Sequence, residues 1–171
     1  MNLGIVYSHE GNNCIEVIGY NDVDWASDLT TRKSTGGYVF KLAGGPISWK
    51  SKRQSMVSMS SCEAEYKAAT DATKEALWIG NFLKEVNVKA NLPRTIFRDS
   101  MAAIDASKKP KQSEKLKHLD IQEHFFRLKV EEEEEIQLVY INTKDNAVDF
   151  LTKSLQVDKH RKCIDMLGME F

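Results

Sequence analysis

The chain has 171 residues, and its 24 Lys and Arg against 25 Asp and Glu leave a formal net charge of −1. That length suits one domain. A composition of 42% hydrophobic and 29% charged residues excludes a disordered chain, and near-neutral charge excludes a generic polycation. No apolar run nears the roughly 18 residues of a membrane span, and the start of the sequence lacks the apolar core of a signal peptide. Cys14, Cys62 and Cys163 are odd in number and have no zinc-ligand spacing. The expectation is an intracellular protein, cytoplasmic or nuclear, with no targeting signal and no membrane partner.

In chain order, residues 16–25 are rich in β-branched and aromatic types and read as a first strand. Residues 34–42 read as a second. Gly44-Gly45 marks a turn into a short third strand, 46–50. Ser60 and Glu63 stand at capping-box spacing and open a long helix over 61–86. Residues 95–99 form a fourth strand, and Ser100 starts a helix to about 107. A lysine-rich loop over 108–117 precedes a helix over 117–131, five consecutive glutamates at 131–135 and a fifth strand over 136–142. Asn146 caps a helix through Lys153, and 156–171 end in an amphipathic helix stopped by Gly168. Three antiparallel strands followed by alternating helices and strands imply an α/β fold, a mixed five-stranded sheet flanked by helices.

Several acids fall where this layout converges. Asp99 ends the fourth strand, and open α/β sheets bind ligands at the carboxyl ends of their strands. Asp22 and Asp24 lie two apart on the first strand and share a face. Glu63 and Glu65 lie about 200° apart around their helix. Stepping from Glu65 meets Ala69, Ala72, Ala76, Ile79 and Leu83, the apolar stripe, whereas stepping from Glu63 meets Lys67, Thr70, Lys74 and Asn81. Glu65 is therefore a carboxylate on the buried face, which marks a site, and Glu63 belongs to the cap and to solvent. Asp149 falls three residues after Asn146, where it either favours the helix dipole or joins the site. Four carboxylates offer oxygen-only ligands to a hard divalent cation, Mg²⁺ or Mn²⁺. Two such ions about 3.5–4 Å apart clamp an in-line phosphoryl displacement. The basic residues Lys50, Lys52 and Arg53, together with Lys115, Lys117 and His118, are candidates for nucleic-acid contact. Trp49 and Trp78 read as core.

The string GYNDVDWASDLTTRKSTGGYVFKLAGGPISWKSKRQS, followed by SSCEAEYKAATDATKEALW, closely resembles the ribonuclease H region of copia-type retrotransposon Pol polyproteins. FRDSMAAI, KHLDIQEHFFR and NAVDFLTKSL continue the resemblance in order, over roughly residues 15–156. Residues 1–14 resemble the end of the connection that follows the reverse transcriptase domain, and 157–171 form a helical tail. The resemblance implies a ribonuclease H-like fold with strand order 3-2-1-4-5. It implies cleavage of the RNA strand of RNA–DNA hybrids with two divalent ions, and Asp22, Glu65, Asp99 and Asp149 as the metal-holding catalytic acids. It also implies an RNA–DNA hybrid as substrate and the reverse transcriptase domain of a parent polyprotein as partner. The chain departs from the family pattern at Asn21 and Val23 around Asp22, at Ser100 after Asp99, and in KQSEKLKH before the 117–131 helix. Those departures keep a second reading open, a relic that binds hybrid or protein without cutting.

Overall fold

The computed structural model describes residues 3–8, 15–101, 125–126, 128–132 and 135–170. The main sheet holds β2 (Val17–Asp24), β3 (Thr35–Leu42), β4 (Gly45–Arg53), β5 (Arg94–Arg98) and β6 (Ile136–Tyr140), in the order β4-β3-β2-β5-β6. β2, β3 and β4 form an antiparallel meander, and β5 and β6 join in parallel. With the five predicted strands numbered as they occur, this is the expected 3-2-1-4-5. A short strand β1 (Gly4–Ile5) precedes them and pairs antiparallel with β7 (Met169–Glu170) at the other end of the chain. Two-residue strands carry no alternation to read, so sequence reasoning missed this second sheet.

Helix α1 (Ser61–Glu85) covers one face of the sheet. Its start keeps half of the expected box: Ser60 Oγ accepts from Glu63 N at 3.2 Å, whereas Glu63 Oε2 accepts from Met59 N at 2.8 Å, one residue before the cap. The stripe predicted from Glu65 is buried throughout, and Ala72, Ala76, Ile79 and Leu83 pack on Val17, Phe40 and Ile96. Runs of alanine let the helix lie close to the strands. The polar stripe is less uniform than predicted. Thr70 is buried and donates its hydroxyl to Tyr66 O at 3.0 Å, so a helix carbonyl satisfies it.

The opposite face is covered by α2 (Asp149–Thr152) and α3 (Val157–Met166), with Val39, Ala147, Val148 and Leu167 as its core. Asn146 does not cap α2. It ends a 3-10 turn, Thr143–Asp145, capped by Asn142 Oδ1, and its amide nitrogen reaches Asn21 O at 3.2 Å. Its Oδ1 accepts from Val148 N at 3.4 Å, one residue before α2, while the buried carbonyl of Asn21 takes its amide hydrogen. Gly168 ends α3 with φ +72, the left-handed geometry that a C-terminal glycine supplies. Trp49 and Trp78 are not core: both are 60% exposed, Trp49 on the edge strand β4 and Trp78 stacked on Phe82 with centroids 5.7 Å apart. An edge strand and the outer flank of α1 leave room that a periodicity count cannot see. The predicted helices over 100–107 and 117–131 lie mostly outside the described residues. Among those described, no helix is long and apolar enough to cross a membrane.

Candidate metal centre

The carboxyl ends of β2 and β5 lie side by side, because the two strands are parallel neighbours with Tyr20 opposite Phe97. Side-chain alternation then sorts the residues at this end. On β2, Val23 turns toward α1 and packs on Ala64 and Ala68, while Asp22 turns toward α2. On β5, Arg98 turns toward α1, and Asp99 follows directly after the strand. Helix α2 begins with Asp149 and meets the same point.

Oxygen atoms of Asp22, Asp99 and Asp149 all lie within 4.8 Å of one another. Asp22 is 2% exposed and Asp149 is fully buried. A close approach makes this possible. β3 places Gly37 opposite Asp22, and a Cβ there would lie 2.9 Å from Thr152 Cγ2 and 3.2 Å from Leu151 Cβ. Without a side chain at Gly37, α2 settles onto the sheet and the Thr152 hydroxyl donates to Asp22.

Two lysines pair with two of the three aspartates. Lys153 Nζ lies 3.1 Å from Asp22 and 3.3 Å from Asp149, and Lys159 Nζ pairs with Asp149. Burial raises the Asp22 carboxyl above its ordinary range, and the charge of Asp99 adds to this, against the opposing pull of Thr152 and Lys153. Burial works against the Lys153 ammonium, but Asp22, Asp149 and Asp99 outweigh it and raise its pKa.

Glu65 stands apart. Its carboxylate accepts from Arg98 Nη2 at 2.5 Å, and the same nitrogen reaches Glu65 O at 3.3 Å. The Arg98 side chain is 1% exposed. Burial raises the Glu65 carboxyl, as do the charges of Asp22 and Asp99, while Arg98 lowers it. Glu65 is thus within electrostatic reach of the triad without belonging to it.

The donor set is oxygen only, partly desolvated and rich in negative charge. It fits a hard divalent cation at the three aspartates. Glu65 lies outside the group of three, and one of its carboxylate oxygens, Oε2, accepts from Arg98. Sequence reasoning missed Lys153, Thr152 and Arg98. Lys153 was findable as the i+4 partner of Asp149. An arginine inside a strand flanked by two others was also a signal, since charged side chains are rarely buried unpaired.

The basic candidates that the structure describes lie on β4, next to the site. Lys50 pairs with Asp71 at 3.0 Å, and Arg53 pairs with Asp28. With Lys52, Lys67 and Gly36 they line a cavity of about 320 Å³ between β4 and α1. Lys115, Lys117 and His118 lie outside the described residues.

No protein-family model matches the chain. It is 40% identical over 151 residues, 88% of its length, to the Pol polyprotein of transposon TNT 1-94 from Nicotiana tabacum. It is 36% identical over 157 residues, 92% of its length, to that of transposon RE1 from Arabidopsis thaliana. The chain is a homologue of copia-type retrotransposon Pol polyproteins. It spans about a tenth of those polyproteins, 11% of each. Among solved structures, LC11-RNase H1 in complex with an RNA/DNA hybrid matches with TM-score 0.57 and 16% identity, over 80% of this chain and 94% of that one. The fold of this copia-type homologue is therefore ribonuclease H-like.

Proposed function

We propose that this chain hydrolyses the RNA strand of RNA–DNA hybrids internally, using Mg²⁺ or Mn²⁺, with two ions at full activity. The observation that carries this reading is the convergence of Asp22, Asp99 and Asp149 within 4.8 Å at the carboxyl end of a ribonuclease H-like sheet. Homology to Pol polyproteins supports it. So does the fold it shares with a protein solved on an RNA/DNA hybrid.

Divalent ions bound at the aspartates supply a water of lowered pKa and stabilise charge on the phosphate under attack. The chain's own residues do the rest. Asp22, Asp99 and Asp149 hold the cations. Thr152 fixes the Asp22 rotamer through its hydroxyl. Lys153 and Lys159 hold the carboxylates in place by ion pairing before the cations arrive. Lys50, Lys52 and Arg53 contact phosphates of the hybrid without reading its sequence. The 2′-hydroxyls across the wide minor groove tell RNA from DNA. The reverse transcriptase domain of a parent polyprotein is the partner this reading supplies.

A second reading, a module that binds hybrid without cutting it, is favoured by the commitment of Glu65 to Arg98. Incubating the purified chain with end-labelled hybrid separates the two. The expected result is cleavage of the RNA strand alone, dependent on Mg²⁺ or Mn²⁺, stopped by chelator and abolished in Asp99→Asn, with 5′-phosphate and 3′-hydroxyl ends. Cyclic-phosphate ends would contradict hydrolysis by water. Salt-sensitive binding with no cutting would establish the second reading instead.

A further inference from the structure

Four carboxylates meet or approach at this end of the sheet, and three side-chain cations face them. The cations are of two kinds. Lys153 and Lys159 have side chains 30% and 37% exposed, on the solvent side of the triad. Each can swing into water when another cation takes its place. Arg98 is different. It is 1% exposed and rooted in β5 between β2 and β6, and it faces α1. Among the described residues its Nε and Nη1 have no hydrogen-bond partner, and Nη2 donates to the carboxylate and the backbone oxygen of Glu65. A buried guanidinium that loses its counter-ion becomes an uncompensated charge in the interior.

The charge count gives the consequence. One divalent ion brings two positive charges and replaces those of Lys153 and Lys159, so the first exchange at the aspartates leaves the local charge unchanged. A second ion would need the Glu65 carboxylate as a further anionic ligand, and one oxygen of that carboxylate, Oε2, is held by a buried cation that fixes its orientation. We infer that Arg98 holds Glu65 out of the metal cage, so that the three aspartates bind one divalent cation tightly and a second binds only weakly until Arg98 is removed. This rests on the reading of the aspartate triad as the metal site. It deepens that reading by making the two ions unequal, with a buried side chain as the cause.

The test counts ions and does not need turnover. The chelator-treated full chain is titrated with Mn²⁺, and free Mn²⁺ is followed by electron paramagnetic resonance, for wild type, Arg98→Met, Glu65→Gln and Asp99→Asn. Wild type is expected to bind one ion, with a second at least about tenfold weaker. Arg98→Met, checked for folding by circular dichroism, is expected to tighten the second ion about tenfold or more. Asp99→Asn is expected to lose the first. Glu65→Gln is expected to leave the first affinity within about twofold of wild type, because Glu65 is not a ligand of that ion.

Two ions of equal affinity on wild type would overturn the inference. So would a folded Arg98→Met with the wild-type isotherm. Should Arg98→Met fail to fold, Glu65→Gln decides: a large loss of first-ion affinity would show that Glu65 already ligates. A chain that binds as expected and cuts no hybrid overturns the proposed function and leaves this inference standing.

Discussion

The two halves of the site neutralise their carboxylates in opposite ways. On the α2 side, the buried acids Asp22 and Asp149 meet lysines whose ammonium groups reach in from solvent. On the α1 side, the partly exposed acid Glu65 meets an arginine that is itself buried. On the proposed reading, a cation at the rim is replaceable and leaves its acids open to ions, whereas a cation in the interior keeps its carboxylate as a counter-ion. Burial of the cation would then decide whether the same pair of residue types serves binding or structure.

The largest expected effect follows from breaking the inner pair. Glu65→Ala orphans Arg98 and is expected to cost about 3–5 kcal/mol, read as a lower urea midpoint at unchanged slope. Lys159→Ala is expected to cost less than about 1 kcal/mol, because its side chain is more than a third exposed and Lys153 still faces Asp149. The same variant should tighten Mg²⁺ binding in calorimetry, since a resident competitor has gone. Equal losses of stability in the two variants would erase the distinction between rim and interior.

The smallest effect is at Asp28, an acid outside both halves. Hydrogen bonds from Thr31, then from Arg53 and the Thr30 backbone, hold its carboxyl well below the usual range. A lowered carboxyl contributes stability above the ordinary carboxylate pKa and loses it as the pH falls through the lowered value. Asp28→Asn should therefore lower Tm slightly at neutral pH, and the gap from wild type should close as the pH drops below about 4.

The sheet was legible because its strands are long enough to show composition and turns, and its order follows once the crossovers are placed. Glu65 was legible as lying on the sheet-facing side because one helix carries an unbroken buried stripe from Ala69 to Leu83. Its partner was not. Periodicity reports which face a side chain takes and is silent on what waits there, and Arg98 comes from a strand 33 residues away. Asn146 misled for a related reason. Its spacing to Asp149 suits a cap, but the helix starts only at Asp149, so its Oδ1 accepts from Val148 N and its amide nitrogen donates to a carbonyl 125 residues distant. Gly37 reads in sequence only as part of the second strand, yet its use is to admit α2 onto the strand across from Asp22.

The pairing of β1 with β7 has a mechanical consequence. Gly4 lies opposite Glu170 in an antiparallel pair, so whatever is joined before the one and after the other leaves from a shared edge. Tension applied through both flanks would peel that two-residue ladder open one bond at a time, in the unzipping direction, before any load reached β2 or β5. The ladder acts as a fuse. Under such a load it would yield ahead of the main sheet.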